Sequence, residues 1–421
     1  MSKKLLIACY FFPPCPSIGG RRSAKFAKYL AKQGDEIHVI QAVNPFSNIS
    51  PWLKDIENEK KIQRHELPLR YPVEFVIPPK SLFGKIRYRL YTQFFNLFYA
   101  KKNRYDYTIF WEQQYLKMAE SLITKHGITN ILISGPPFYY AHQTIKLKDK
   151  FPNLNIIVDF RDPWIGSPYY GMSSLKQKQQ NFEIALLNEV YQKADYFIGP
   201  NMFLLNEQKK YILPGNSNGA EFVEISHAFD KDEMIVFKDK QSGSIDKINL
   251  VYGGQLYPGT DEILKEFSAT LLELRKTDPE LYGALQIDFY SPEKGPKRFF
   301  KEHEGTVYFH EPVGNEIMSK IAQSTFCMIL LAEHNKDFKT TKFLEYSALR
   351  KPFIVLGNKG YVARFVEENN LGVSFDAGSI SGLGSFLKSG KEYIASKYNR
   401  TFDLGEFTFE AVSDKLRNLL K

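Results

Sequence analysis

The opening of the chain reads strand, glycine-bearing turn, helix, strand, and that order leaves few folds open. Leu5 to Phe11 is an apolar run of strand length inside Lys4 to Phe12. Pro13, Pro14 and Pro16 shape a loop, and Gly19-Gly20 can let backbone approach a ligand. A helix follows from about Arg21 to Gln33, burying Ala24, Phe26 or Ala27, and Leu30; Gly34 ends it and Ile37 to Ile40 is the next strand. A strand that returns through a helix to a second strand makes a parallel sheet. Its loops gather at the strand ends, where such sheets bind ligands. Glycine before a helix is also commonly a plain turn, so Gly19-Gly20 has two readings of about equal weight.

The pattern continues along the chain. Asn44 to Pro79 is irregular and proline-bearing, and Asp106 to Trp111 is a short aromatic run. Leu116 to His126 reads as a helix, Ile128 to Ser134 as a strand ending in SGPP, Tyr140 to Lys150 as a helix, and Asn155 to Phe160 as a strand. That strand runs straight into Arg161, Asp162, Pro163 and Trp164. Charged residues at the C-terminal end of a parallel strand are where α/β proteins place chemistry, and a salt bridge that pins the loop is the alternative. Gln177 to Lys193 is helical, Ala194 to Gly199 is a strand, and Lys231 to Ser244 reads as a charged linker. The pattern then restarts with Lys247 to Tyr252 and GGQLYPGTD at Gly253 to Asp261. Helices at Glu262 to Arg275, Ile317 to Ser324 and Val362 to Asn369 alternate with strands at Leu285 to Tyr290, Val307 to His310, Cys327 to Leu331 and Gly372 to Phe375. With 421 residues, two domains are expected: 1–230 and 231–405, both Rossmann-like with parallel sheets. An amphipathic C-terminal helix, 406–421, crosses back to the first.

The stretch KTTKFLEYSALRKPFIVLG, Lys339 to Gly357, carries the most chemistry. Thr340 and Thr341 can cap a helix over Lys342 to Leu349 that buries Phe343, Leu344 and Tyr346. Arg350 and Lys351 suit its negative end, Pro352 stops it, and Phe353 to Leu356 is a buried strand. Hydroxyls, helix N–H groups and Lys342 therefore meet at one mouth, a ready site for a phosphate or diphosphate. Glu345 lies one turn in. As a first-turn acid it can also simply stabilise the helix dipole, by about 0.3–1 kcal/mol.

Composition narrows the partners. The net charge is +9, which points to a polyanionic partner, yet no nucleic-acid motif of the usual kinds occurs. From Lys80 to Arg104 there are seven basic residues, seven aromatics and no acid. Phe83, Ile86, Leu90, Phe94, Leu97 and Phe98 fall on one helical stripe flanked by Arg87, Arg89, Lys101 and Lys102. Such a helix can lie on an anionic bilayer surface, or pack its stripe on its own domain. No run of about 18 apolar residues is present to span a bilayer, and the short run after the N-terminal lysines lacks a cleavage site, so it reads as a strand and not a signal peptide. Cys9, Cys15 and Cys327 form no disulfide framework, as in a reducing cytoplasm, and the eight histidines show no zinc-ligand spacing, so no metal is expected.

Taken together, YFFPPCPSIGGRRSAKFAKYLAKQGDEIHVI, SGPPFYYAH, VDFRDPW, ADYFIGPN, ISHAFD, YGGQLYPGTDEIL and KFLEYSALRKPFIVLGNKG resemble the family 4 glycosyltransferases of the GT-B fold, of the DFRDPW-containing type, over nearly the whole chain. The resemblance implies two facing Rossmann-like domains with an interdomain cleft. It implies retaining, metal-independent transfer of a sugar from a nucleoside diphosphate sugar to a glycan or lipid-linked acceptor held by the first domain. The setting implied is cell-envelope or capsular polysaccharide synthesis on the cytoplasmic side, peripheral at the inner membrane. It makes Lys342 the donor-phosphate lysine and gives Glu345 the ribose hydroxyls. Asp337 stands where the family usually has Glu, against the donor sugar. Gly19, Gly20, Gly254, Thr341 and Val313 complete the donor contacts, and closure of the Gly19-Gly20 loop completes the site. Arg161, Asp162 and Trp164 are assigned to the acceptor, with Asp162 counted among the catalytic residues beside Lys342 and Asp337. Many relatives carry an arginine and a lysine in the glycine loop; here Gln255 and Gly259-Thr260 stand instead, leaving the diphosphate to Lys342, the helix N-terminus and Arg21 or Lys339. Two other readings keep the fold: a non-catalytic subunit of a glycan assembly, and a sugar-nucleotide epimerase.

Overall fold

A computed structural model describes residues 2–167, 170–215, 219–238, 247–311, 314–333, 336 and 340–421. The chain divides into two compact units, Met1–Ser226 with Phe409–Lys421, and His227–Thr408. The first holds seven strands: β1 (Lys4–Ala8), β2 (Glu36–Ala42), β3 (Ile62–Leu67), β4 (Asn130–Gly135), β5 (Asn155–Phe160), β6 (Tyr196–Gly199) and β7 (Glu221–Glu224). Their spatial order is β3-β2-β1-β4-β5-β6-β7, and every pairing is parallel. The second holds six: β8 (Ile248–Gly253), β9 (Leu285–Tyr290), β10 (Val307–His310), β11 (Phe326–Leu331), β12 (Phe353–Gly357) and β13 (Gly372–Phe375), in the parallel order β10-β9-β8-β11-β12-β13. Both are Rossmann-like sheets wound outward from a central strand, β1 in one and β8 in the other.

Parallel strands covered on both faces must be apolar on both faces, and the central strands β1, β4, β5, β8, β11 and β12 are buried almost throughout. In the second unit alternate residues separate cleanly. Val251, Cys327, Ile329 and Val355 pack with Phe343 and Leu344 of the Thr341–Ala348 helix, whereas Leu250, Met328, Ile354 and Leu356 pack with Phe267 and Leu271 of the Asp261–Thr277 helix. In the first unit the C-terminal helix, Phe409–Asn418, lies on the Arg21–Lys32 helix. The Phe409 and Phe26 rings meet edge to face at 6.3 Å, and Arg417 forks onto the buried Asp35 carboxylate at 2.7 and 3.0 Å. The same helix layer hides an ion pair: Arg22 Nε donates to Asp159 on β5 at 3.1 Å, and its two outer nitrogens donate to the carbonyls of Ile225 and Ser226.

The structure departs from the sequence reading in two places, adds one helix left unread and decides between two alternatives left open. β3 lies inside the stretch read as irregular; as an edge strand it carries Gln63, Arg64, His65 and Glu66 and so lacks an apolar run. Lys231–Lys238, read as linker, is a helix whose Met234 and Phe237, three apart, enter the second core; residues 239–246 lie outside the described residues. Gly382–Ser396 is a helix although three glycines interrupt it. The apolar stripe of the basic helix, Leu82–Phe98, does not pack on its own unit: Phe83, Ile86, Leu90, Phe94, Leu97 and Phe98 are 46–81% exposed, and Phe95 is the aromatic that turns inward. Among the described residues no helix is long and apolar enough to cross a membrane.

Replacing Arg22 by Met strands a buried carboxylate and two carbonyls. The first unit is expected to lose about 3–5 kcal/mol, and a double Arg22→Met, Asp159→Leu variant less. All three tryptophans (Trp52, Trp111 and Trp164) lie in that unit, so their fluorescence during urea unfolding reads it alone.

Candidate functional site

In the second unit the C-terminal end of β8 meets the start of the Thr341–Ala348 helix. Thr340 caps that helix, its hydroxyl accepting from Phe343 N–H at 3.3 Å. One turn on, the buried Tyr346 hydroxyl donates to Gly253 O at 2.7 Å and locks the helix against the strand end. Lys342 is thereby laid across Gly254. A Cβ on Gly254 would stand 1.8 Å from Lys342 Nζ and 2.1 Å from its Cε, and the backbone there has φ +133°, which side chains rarely adopt. Glycine is required twice, once by the lysine and once by the dihedral.

The Lys342 ammonium lies 5.5 Å from the Tyr252 ring centre and 5.8 Å from that of Tyr257. Burial lowers its pKa to about 8, against the opposing pull of Glu293 and Glu345. Among the described residues it has no hydrogen bond or ion pair. Glu293 is occupied elsewhere: it accepts from Leu256 N–H at 3.0 Å and the Ser291 hydroxyl at 2.7 Å. Burial opposes its ionisation, but these bonds outweigh it and hold the carboxyl below its usual range. Glu293 thus shapes the Gln255–Leu256 turn, and the Tyr252 hydroxyl donates to Gln255 O at 2.6 Å. The result is a desolvated cation beside a capped helix N-terminus, a place chemically suited to an anion. Thr341 and Glu345 are half-buried on the same first turns. Asp337, Val313 and Lys339 lie outside the described residues.

In the first unit the sequence-assigned residues gather at the ends of β1, β4 and β5. Arg161 donates to the carbonyls of Gly19 and Pro136 and sits 3.3 Å from Asp162, so it ties three loops together. A Cβ on Gly19 would meet this guanidinium at 2.9 Å, and one on Gly20 would meet Phe11 O at 2.1 Å. Both glycines are buried, which gives a packing reason for them at that turn. Arg21 is also buried, its guanidinium over the Trp52 and Phe409 rings at 5.8 and 5.7 Å. Asp162 is the acid of this end that reaches water, its side chain 44% exposed.

Trp164 corrects an expectation. It is fully buried, stacked on Phe138 at 4.7 Å, with its Nε1 donating to Glu183 at 2.8 Å, so it has no surface to offer an acceptor. Its role is to floor the loop that presents Asp162. Sequence reasoning missed the polar network beneath. Asp106 accepts from Phe138 N–H, Tyr139 N–H and the Tyr170 hydroxyl at 2.6, 2.9 and 2.6 Å. Glu183 accepts from the Tyr139 hydroxyl at 2.6 Å, and burial raises its pKa to about 8. The signal for Asp106 was present as a lone acid within an aromatic run; for Glu183, mid-helix between Phe182 and Ile184, there was none.

No protein-family model matches the sequence, and no curated protein sequence does. Solved structures do match in fold. A glycosyltransferase from Rickettsia africae superposes with TM-score 0.58 at 12% identity, covering 100% of this chain and 94% of that one. Anabaena HepE, in complex with UDP and glucose, gives 0.56 at 12%, covering 99% and 98%. WaaG, a glycosyltransferase involved in lipopolysaccharide biosynthesis, gives 0.56 at 11%, covering 99% and 99%. The fold is therefore the GT-B fold, with its two Rossmann-like domains.

Gly254→Ala forces the lysine aside and strains the backbone. A loss of about 1–3 kcal/mol is expected on thermal or urea unfolding of the second unit followed by circular dichroism. Stability equal to the parent would contradict the tight Lys342–Gly254 contact.

Proposed function

We propose that the protein is a glycosyltransferase whose second unit holds a nucleoside diphosphate sugar with the diphosphate on Lys342. One observation carries this reading: a partly desolvated ammonium, without an ion pair among the described residues, fixed against Gly254 at the mouth of a capped helix. An anion placed there gains a charge-assisted contact that water would otherwise weaken, and helix N–H groups add to it. Two supports are independent of that geometry. The fold is shared with glycosyltransferases and with HepE, solved in complex with UDP and glucose, and the KFLEY segment resembles the family motif in which the glutamate takes the ribose. Glu345 is assigned that role.

In the proposed transfer the bond from the anomeric carbon to the diphosphate breaks, and Lys342 with the helix N-terminus stabilises the charge that develops on the departing phosphate. The acceptor oxygen bonds to the anomeric carbon on the face the diphosphate leaves and gives its proton to the departing phosphate oxygen; same-face attack retains configuration, and neither a metal nor a separate base is invoked. Asp337 is proposed to contact the donor sugar, and Gly254, Thr341 and Val313 to line the donor. Asp162 is proposed to orient the acceptor hydroxyl, with Arg161 holding the loop. The acceptor is proposed to be a glycan or lipid-linked saccharide of the cell envelope. The exposed aromatic stripe of Leu82–Phe98, with basic neighbours and no acid on the helix, supports docking at the anionic inner membrane surface from the cytoplasm.

Four outcomes test this. Saturating UDP, GDP, CDP or ADP is expected to stabilise the protein by about 2–3 kcal/mol in thermal shift, and Lys342→Ala to remove the effect and lower kcat by ~10²–10³-fold; no shift with any nucleotide would overturn the reading. Diphosphate affinity should fall as pH rises through about 8, because the cation is lost there. The stability of the ligand-free protein should move the other way. Above that pH the unfolded chain holds the lysine proton more tightly than the native one, so stability rises with pH up to the ordinary lysine range. Phe83→Glu with Leu97→Glu should abolish co-sedimentation with phosphatidylglycerol vesicles while the nucleotide shift stays; equal binding to phosphatidylcholine would contradict an anionic surface.

A further inference from the structure

Three of the eight histidines, far apart in sequence, meet at the end of the first sheet opposite the strand ends that carry Asp162. Glu36 and His38 are two apart on β2 and so project to one face. His126 is the last residue of the Glu112–His126 helix, which packs over β2, and His65 stands on β3. Glu36 Oε1 lies 2.9 Å from His38 Nε2 and 3.3 Å from His126 Nδ1, so a single carboxylate oxygen faces both rings. The other oxygen, Oε2, is turned to Lys4 Nζ at 3.8 Å. The His38 and His126 ring centres are 4.1 Å apart, and the three ligand atoms all fall within 4.8 Å of one another.

We propose that Glu36, His38 and His126 form a binding site for a divalent first-row transition ion of the zinc type. Metal bonds of about 2.0–2.1 Å in a tetrahedral site separate ligand atoms by roughly 3.3 Å; the two carboxylate–imidazole distances, 2.9 and 3.3 Å, are near that spacing, and the imidazole nitrogens lie within 4.8 Å of each other. One carboxylate and two imidazoles are the nitrogen and oxygen set such ions favour. The fourth position falls to water, since Glu36 and His126 are part-exposed while His38 is fully buried. His65 supplies the support that metal-binding imidazoles usually have: its Nε2 lies 3.1 Å from His38 Nδ1 and can accept that N–H, which leaves His38 Nε2 free for the ion. Lys4 keeps Oε2, so the carboxylate binds through Oε1 alone. The ion would clip β2 to the helix above it, with β3 holding the geometry. The site is separate from Lys342 and does not rest on the proposed transfer; its work is structural.

Full-length protein stripped with a chelator and titrated with cobalt(II) chloride tests this. One equivalent should give the visible d–d absorption of a nitrogen- and oxygen-ligated ion, which zinc chloride then displaces, and zinc should raise the unfolding temperature read by tryptophan fluorescence. Glu36→Gln with His126→Ala should abolish the cobalt spectrum without unfolding the protein, since both side chains reach the surface. His65→Ala should weaken cobalt binding about 10–100-fold while keeping the spectrum. No cobalt absorption, or the same absorption in the Glu36→Gln, His126→Ala protein, would overturn the site.

Discussion

An ammonium group held part-way out of water is costly, and the second unit keeps one at Lys342 without an ion pair among the described residues. Most of the local architecture serves that placement. Gly254 clears the space, the Tyr346–Gly253 bond fixes the helix to the strand end, and Thr340 closes the helix N-terminus. Glu293, whose charge pulls on the lysine more than that of Glu345, is committed to the Gln255–Leu256 turn. Folding alone would favour an apolar residue at 342. The arrangement makes sense if a mobile anion completes it, because desolvation that weakens the free site strengthens the occupied one.

The first unit follows a different economy. Its strand-end loops are held by polar side chains that are hydrogen-bonded inside the protein. Arg161 binds the loops after β1 and β4, Asp106 gathers the loop after β4 with Tyr170, and Glu183 seats Trp164. Each is costly to desolvate and each is hydrogen-bonded through more than one of its atoms, which fixes loop positions more sharply than apolar packing does. Asp162 is left as the acid that reaches solvent on this frame. Under the proposed transfer, the first unit's end would meet the acceptor and the Lys342 mouth the donor.

Much of this was legible in the sequence, for physical reasons. Parallel strands buried on both faces must be continuous apolar runs, so β1, β4, β5, β8, β11 and β12 announce themselves, and Gly34 and Pro352 mark helix ends. β3 did not, because an edge strand can be polar. The Lys342 mouth could be read from threonines and a lysine ahead of an apolar helix, but the reason Gly254 must be glycine could not, since it depends on a side chain 88 positions away. Trp164 misled for the same reason: aromatic residues after a strand serve a ligand or a core equally well, and its stacking on Phe138 decides. Glu36 and His38 share a face by simple alternation, yet His126 joins them only through the fold.

The most direct test of the account is the titration of Lys342 itself, followed by NMR of lysine labelled at the ε position and assigned with Lys342→Arg. The account predicts a midpoint near 8 in the free protein, moving up by a unit or more when a nucleoside diphosphate binds. A midpoint in the ordinary lysine range that no nucleotide changes would contradict it.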